Sequence, residues 1–225
     1  GERMALAAEA FKLTYNYDKI ISNWFENYLN PDQKNRSSDK IISEKKLRYG
    51  ENPHQSGGLQ INSNSGLGSI EQLQGKELSY NNINDIDAAL QLIDDFKKDS
   101  PTFAIIKHAN PCGVAQKETL FASYIDALSC DPTSAFGGIL IANVTIDADT
   151  AAEIVKIFSE VVIAPGFTDD ALKVLSDKQN LRVIKFNTIN NEKSDNKMLK
   201  SVYGGYLVQD LSLIHISEPT RRLVI

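Results

Sequence analysis

Three short apolar runs, separated by segments of helical periodicity, constrain the fold of this chain more than any other feature. Residues 103–106, 139–142 and 161–164 read FAII, ILIA and VVIA. An uninterrupted run of four apolar residues, without polar alternation, is typical of a strand that is buried on both faces. Strands that alternate with helices predict an α/β layered architecture.

The rest of the chain supplies the helices and further strands. The apolar spacing predicts helices over residues 85–96, 118–128, 147–158 and 169–175, and strands over residues 103–107, 181–186 and 203–208. The polar segments 131–138 and 192–197 are interpreted as loops. No G-x-G-x-x-G fingerprint and no phosphate-loop motif follows a strand, so a nucleotide bound in either of those ways is not supported.

A long helical segment precedes this body. Apolar residues recur at mostly helical spacing over residues 4–29, and the polar segment 30–40, which contains Pro31, reads as a linker. We therefore interpret residues 1–44 as a connecting helix and linker, and residues 45–210 as the main α/β body. Because the chain opens in mid-helix, we expect that more protein precedes it.

The last fifteen residues form a segment of a different kind. Residues 211–221 read LSLIHISEPTR, which resembles the translation of a transposase sequencing adapter. We expect the native polypeptide to continue differently after Asp210, and we exclude residues 211–225 from the fold.

Composition limits the function classes. The chain carries 24 basic and 29 acidic residues, a net charge of −5, which argues against general binding to nucleic acid or to a membrane surface. No apolar stretch is long enough to span a bilayer, and no signal peptide is present. Two cysteines, Cys112 and Cys130, form no disulfide framework, so we expect a reducing, cytoplasmic location.

The strongest functional signal is the pair Lys107–His108, which follows the apolar run and precedes Asn110–Pro111. We expect the strand to end at Lys107 and the chain to break at Asn110–Pro111, with the site beyond the carboxyl ends of the strands. Lysine supplies a positive charge for developing negative charge, and histidine is a base that titrates near neutral pH.

Three other segments could contribute to a site. Arg48 offers a fork of donors for a phosphate or carboxylate, and Tyr49 could stack on a heterocycle; a surface arginine beside a core tyrosine is the alternative. Asn82 could present its amide to a ligand or cap the helix that follows. The small-residue loop at Gly137 could let backbone N–H groups approach a ligand, or could be an ordinary turn.

Five ordered motifs together resemble one family. They are LRYGENPHQ (47–55), LSYNN (78–82), KHANPCG (107–113), SAFGG (134–138) and VIAP (162–165). This set is similar to the bifunctional purine biosynthesis enzymes, phosphoribosylaminoimidazolecarboxamide (AICAR) formyltransferase/IMP cyclohydrolase. The resemblance implies a cytidine-deaminase-like α/β fold, the first half of the transformylase domain, a connecting helix after the cyclohydrolase domain, and a homodimeric parent protein.

The resemblance also implies the chemistry and the residues. Members transfer a formyl group from 10-formyltetrahydrofolate to the 5-amino group of AICAR, and the product FAICAR is then closed to IMP. His108 matches the proton acceptor and Lys107 the group that stabilises the transition state. The positions that match AICAR-binding residues are Arg48, Tyr49, Asn82, Gly137 and Glu160, where Glu160 replaces an aspartate of some members and is one methylene longer.

Two alternatives remain beside this reading. The chain could be an incomplete fragment without activity of its own, because the family's second transformylase half is missing. The second alternative is a cytidine-deaminase-like hydrolase that works without zinc. Asn110 stands where the H-x-E signature of zinc deaminases has its glutamate, and Ala115 where P-C-x-x-C has its second cysteine. We therefore expect no metal in this chain.

Overall fold

The structure is a computed structural model that describes residues 2–29, 43–61, 66–96, 100–187, 197–203 and 205–210. The predicted linker over residues 30–40, most of the loop over 192–197 and the segment 211–225 lie outside the described residues. The chain divides into two compact units, residues 41–191 and residues 1–40 with 192–225, and each is described by itself.

The larger unit is an α/β body. Its strands are β1 Ser43–Leu47, β2 Gly57–Ile61, β3 Ile70–Gln74, β4 Thr102–Lys107, β5 Asn110–Gln116, β6 Ile139–Ala142, β7 Val161–Ala164 and β8 Arg182–Phe186. After a first helix in the smaller unit, α1 Glu2–Leu29, its helices are α2 Tyr80–Asp94, α3 Leu120–Cys130, α4 Pro132–Ala135, α5 Ala148–Ile154 and α6 Asp169–Ser176.

Six of these strands form one mixed sheet in the order β3-β8-β7-β6-β4-β5. Strands β6, β7 and β8 run parallel, whereas β4 runs antiparallel to β6, β5 antiparallel to β4, and β3 antiparallel to β8. Strands β1 and β2 form a separate antiparallel hairpin. The predicted strands at the three apolar runs and at residues 181–186 are confirmed.

The sheet lies between two helical layers, because alternate residues of each strand face opposite sides. On one side, Ile86, Leu90 and Ile93 of α2 pack against the side chains of Ile106 and Ile139. On the other side, helices α3, α5 and α6 pack against the neighbouring strand positions, among them Phe103, Leu140 and Val162. The apolar runs are uninterrupted because both faces of the central strands are covered, which confirms the predicted α/β architecture.

Several predicted boundaries were wrong. Helix α2 begins at Tyr80 rather than at residue 85, because Ser79 caps it. Helix α5 ends at Ile154 rather than at residue 158, and the predicted loop 131–138 contains the short helix α4. In the smaller unit, the strand predicted over residues 203–208 is a hairpin of two strands, β9 Lys197–Val202 and β10 Gly205–Asp210. The helix predicted over residues 4–29 is confirmed as α1.

The predicted break at Asn110–Pro111 was also wrong, because these residues open strand β5. Only His108 and Ala109 connect β4 to β5, and both have positive φ angles, 52° and 57°. This is the φ pattern of a tight type I′ hairpin turn. Pro111 is tolerated because β5 is the edge strand of the sheet, where a missing N–H leaves no inner ladder unpaired.

Within the described residues, no helix has both the length and the apolar character that crossing a bilayer requires.

Candidate active site

The candidate site lies at the end of the sheet where β4 finishes, which we call the sheet edge of the site. Because β4 runs antiparallel to β6, its last residues lie beside the first residues of β6, with Ile106 paired with Ile139. Glu160 immediately precedes β7, and Arg182 opens β8. The expectation that the site lies beyond the carboxyl ends of the strands therefore holds for β4 alone, since the parallel strands contribute their amino ends.

Lys107 is held by the glycine loop that precedes β6. Its ammonium donates hydrogen bonds to the carbonyl oxygens of Phe136 (2.8 Å) and Gly137 (3.0 Å). Gly137 has a φ of +70°, and a Cβ there would lie 2.9 Å from Lys107 Nζ. The backbone conformation at 137 therefore requires glycine, and a Cβ there would also displace the flexible end of Lys107.

The N–H groups of this loop are used within the protein. Gly137 N donates to the carbonyl of Phe158 (2.7 Å), and Gly138 N donates to that of Ala135 (3.0 Å). The backbone donors that the sequence offered to a ligand are therefore engaged, and the loop acts on Lys107 through its carbonyl groups instead.

A second cluster surrounds the carboxylate of Glu160. Asn82 Nδ2 donates to Glu160 Oε2 at 2.7 Å, and Arg182 Nη1 lies 3.5 Å from the same oxygen. The Arg182 side chain is largely buried, and its Nε and Nη2 both donate to the carbonyl of Glu77 (3.2 Å each). The backbone joins the two clusters, because Glu160 N donates to Gly138 O at 3.0 Å.

Asn82 has two roles in this arrangement. Its Oδ1 accepts from Ser79 N (3.1 Å) and from Ser79 Oγ (2.9 Å), while Ser79 Oγ accepts from Asn82 N, so the two residues form a capping box at the start of α2. The capping alternative and the site alternative of the sequence analysis are thus combined in one side chain.

His108 lies in the turn between β4 and β5, next to Lys107, and its side chain is exposed. The turn is tied to α2, because Ala109 N donates to Asp85 Oδ1 at 2.8 Å. Asn110 Nδ2 also donates to the carbonyl of His108 (2.7 Å). Helix α2 therefore contacts both parts of the site, through Asn82 at its first turn and Asp85 at its second.

Arg48 and Tyr49 occupy the loop that follows β1. The Arg48 guanidinium carbon lies 5.1 Å from the centroid of the Tyr49 ring, within cation–π range. Among the described residues no hydrogen bond or ion pair joins either residue to the Lys107 or Glu160 clusters. The loop reaches α2 through Asn81 Nδ2, which lies 3.5 Å from the Glu51 carbonyl.

The thiol of Cys112, on strand β5, shows no sign of activation. Burial raises the pKa of Cys112 above its ordinary value, and the opposing effect of Lys107 is smaller. A thiol that remains protonated at neutral pH is a poor nucleophile. The chemistry that this edge of the sheet offers is a base, an ammonium and a carboxylate.

Sequence reasoning missed Asp85 and Arg182. A register argument could have found Arg182, because it pairs with Val161, the residue after Glu160, at the amino ends of two adjacent parallel strands. No local signal marks Asp85, since its partner is in a hairpin that the sequence did not predict. Among the described residues, no group of three or more His, Cys, Asp or Glu side chains could hold a metal ion.

The structure is thus a three-layered α/β domain whose candidate site lies at one end of the central sheet. The family model described as AICARFT/IMPCHase bienzyme matches residues 1–224, and the chain belongs to this family. The resemblance inferred from the five motifs is therefore confirmed.

Several curated relatives bear the name bifunctional purine biosynthesis protein PurH. That of Mesorhizobium japonicum is 48% identical over 211 residues, which are 92% of this chain and 39% of the relative. That of Ruegeria sp. (strain TM1040) is 46% identical over 95% of this chain and 41% of the relative. That of Roseobacter denitrificans is 45% identical over 99% of this chain and 42% of the relative. The chain thus spans about two fifths of the length of these relatives.

Proposed function

We propose that this chain is part of the AICAR transformylase domain of a bifunctional enzyme of purine biosynthesis. The observation that carries the proposal is the end of the sheet where Lys107 closes β4, His108 follows in the turn, and Glu160 precedes the neighbouring strand β7. The complete protein would transfer a formyl group from 10-formyltetrahydrofolate to AICAR, and would also carry IMP cyclohydrolase activity in a part outside this chain. Residues 45–210 would belong to the transformylase domain, residues 1–44 would connect it to that other part, and residues 211–225 would be non-native.

His108 and Lys107 would share the formyl transfer. The 5-amino nitrogen of AICAR attacks the formyl carbon, and His108 accepts the proton that this nitrogen loses. The formyl oxygen becomes an oxyanion, which the Lys107 ammonium stabilises. The bond between the formyl carbon and the folate nitrogen then breaks, and that nitrogen takes up a proton. The ammonium is already oriented by two carbonyl groups, which limits the reorganisation that the step requires.

The remaining site residues would bind AICAR. Arg48 is exposed and has the fork geometry for a phosphate, and Tyr49 offers a ring for stacking. One oxygen of Glu160 accepts from Asn82, so its other oxygen would accept from an amino group of the substrate. Gly137 would contribute by holding Lys107 and by keeping the substrate side free of a Cβ.

Three broader features belong to the same proposal. We propose the cytidine-deaminase-like topology for the complete domain, a homodimeric parent protein and a cytoplasmic location. The mixed sheet with helices on both faces supports the topology, and the net charge of −5 suits the location. The homodimer is proposed from membership of the family alone. AICAR and the folate would be the partners of the site, with no nucleic acid and no membrane.

A chimera tests the function. Residues 43–210 replace the aligned segment of the Mesorhizobium japonicum relative, and FAICAR formation is measured. We expect the chimera to be active. His108→Ala and Lys107→Ala should each lower its kcat on the order of 10²-fold or more. The double variant should lose less activation free energy than the sum of the two single losses. Arg48→Ala should instead raise the KM for AICAR. Lys156→Ala is the matched control, because this lysine pairs with Glu153 on α5. Near-normal kcat in His108→Ala would refute its role as the base.

The alternative, a chain that is inactive by itself, is favoured by its coverage of only about two fifths of the relatives. We expect the purified chain to show neither transformylase nor cyclohydrolase turnover while the chimera is active. FAICAR formation by the isolated chain would show that the described site is sufficient.

A further inference from the structure

The turn that carries His108 has a backbone conformation that its residues do not favour. His108 and Ala109 both have left-handed φ angles, 52° and 57°, and neither is glycine. A Cβ makes this region unfavourable, and two such residues in succession persist only when the surrounding structure holds them. Within the hairpin, Asn110 Nδ2 holds the His108 carbonyl, and a contact from outside the turn adds to this support.

The side chain of Asp85 supplies that contact. Its Oδ1 accepts a hydrogen bond from Ala109 N at 2.8 Å, and a carboxylate acceptor makes the stronger kind of hydrogen bond. Asp85 is itself well fixed, because it lies in α2 between the capping box at Ser79 and the fully buried Ile86. Helix α2 thus holds the Ala109 N–H of the turn.

We propose that Asp85 is a positioning residue for formyl transfer. By fixing Ala109 N–H, Asp85 would hold the turn in the left-handed conformation. It would thereby set the directions of the Lys107 and His108 side chains at the end of β4. The inference rests on the proposed function of this pair. Asp85 acts through the turn and is not itself assigned a contact with substrate.

The expected kinetic effect is specific. In the active chimera, Asp85→Ala should lower kcat at least about tenfold, because small displacements of a base reduce its reaction rate strongly. The KM for AICAR should change less than about threefold, because Arg48 and Glu160 lie on other segments. Asp85→Asn should recover part of kcat, since its amide oxygen can still accept from Ala109 N.

Asp87→Ala is the matched control. It removes the same charge from the same helix, but Asp87 accepts from the side chain of Gln91 and does not contact the turn. We expect its kcat to remain within about twofold of the unmodified chimera. An equal loss of kcat in Asp87→Ala, or a rise in KM at unchanged kcat in Asp85→Ala, would overturn the proposal.

A second-site change separates positioning from a general structural effect. Glycine adopts positive φ readily, so Ala109→Gly keeps the N–H and removes the need for an anchor. Added to Asp85→Ala, it should restore kcat at least about threefold. Ala152→Gly, at an exposed position of α5, should restore nothing in the same background. No recovery with Ala109→Gly would contradict the role of Asp85 in holding the turn.

Hydrogen exchange on the 225-residue chain provides a test without activity. Asp85→Ala should accelerate exchange of the Ala109 amide about tenfold or more, and Asp87→Ala should leave it unchanged. Unchanged exchange in Asp85→Ala would overturn the proposal. If Asp85→Ala does not fold, Asp85→Ser carries the same test, because its hydroxyl is too short to keep the contact. An inactive chimera, or an active His108→Ala variant, would instead count against the proposed function.

Discussion

Asn82 connects the stability of a helix with the geometry of the site. One end of its amide accepts from Ser79 and caps α2, and the other end donates to Glu160, 78 residues away in the sequence. An amide can do both, whereas a carboxylate has no donor and an aliphatic side chain has neither group. The residue type at this position is therefore fixed by two contacts of opposite polarity.

Asn82→Asp should separate the two contacts. The substituted carboxylate keeps the acceptor for the cap but faces the Glu160 carboxylate at hydrogen-bond distance, so the two negative charges repel each other. We expect a loss of about 1–2 kcal/mol in the free energy of unfolding at pH 8, where both are ionised. The loss should shrink as the pH falls below about 5 and one carboxyl is protonated.

The measurement is urea unfolding of the chain at pH 8 and pH 4.5. Asn81→Asp is the control, because it adds the same charge one residue earlier, at an exposed position of the same helix. Equal stability changes in the two variants would show that the Asn82–Glu160 contact contributes nothing.

Tyr124 predicts a pH dependence at alkaline pH. Burial, with a smaller contribution from the Glu153 carboxylate, raises the pKa of Tyr124 to about 12. Its hydroxyl is buried without a hydrogen-bond partner among the described residues. The folded state keeps the proton between pH 10 and pH 12 while the unfolded state loses it. The raised pKa of Tyr124 therefore contributes on the order of 2–3 kcal/mol to the free energy of unfolding below pH 10. This contribution is lost as the pH rises from 10 to 12.

Tyr124→Phe isolates this contribution. The variant removes a hydroxyl that has no partner among the described residues. We therefore expect its free energy of unfolding at pH 8 to lie within about 1 kcal/mol of that of the original chain. The difference in the free energy of unfolding between the two chains should move in favour of the variant from pH 10 upwards. A difference that stays constant from pH 8 to pH 11.5 would contradict the raised pKa.

At the scale of elements, the edge hairpin is fixed by its contact with α3. A Cβ built on Gly113 of β5 would lie 2.0 Å from the carbonyl oxygen of Ala127 in α3. The strand and the helix are therefore closer than any side chain at 113 allows. This close contact, together with the turn at His108, positions the last strand of the sheet.

Gly113→Ala should consequently be strongly destabilising. The overlap is with backbone, which cannot move without displacing α3 from the sheet, and we expect a loss of about 2–4 kcal/mol. Gly58→Ala is the control, because a Cβ there meets only the Lys45 carbonyl at 3.5 Å, an ordinary contact. The midpoints of urea unfolding of the two variants give the comparison of their stabilities. A loss below about 1 kcal/mol in the free energy of unfolding of Gly113→Ala would mean that α3 adjusts freely.

At the scale of the whole molecule, the larger compact unit contains the complete six-stranded sheet and all the candidate site residues. The sequence predicts that residues 211–225, which lie outside the described residues, contribute no native structure. Their deletion should leave the Tm of the chain unchanged or slightly raised, as measured by thermal denaturation. A fall of several degrees would show that the adapter-like segment has a structural role.

Part of the site could be predicted from the sequence because it is local. Lys107 and His108 are neighbours that follow a buried strand, so their common location at a sheet edge follows from the apolar run alone. The roles of Arg48, Tyr49 and Gly137 came from the family resemblance and stay predictions. The contact of Glu160 with Asn82 could not be predicted, because it depends on the docking of α2. The contact with Arg182 depends on the pairing of β7 with β8, which a register argument could have supplied.

The sequence by itself determined the central strands, most of the helices and the α/β class, because burial on two faces and helical periodicity are properties of short segments. Only the tertiary structure decided that β4 runs against its parallel neighbours and that Asn110–Pro111 opens an edge strand. Each of these depends on a partner that is distant in sequence. The direction of β4 matters most for function, since reversing it would place Lys107 and His108 at the sheet edge opposite Glu160.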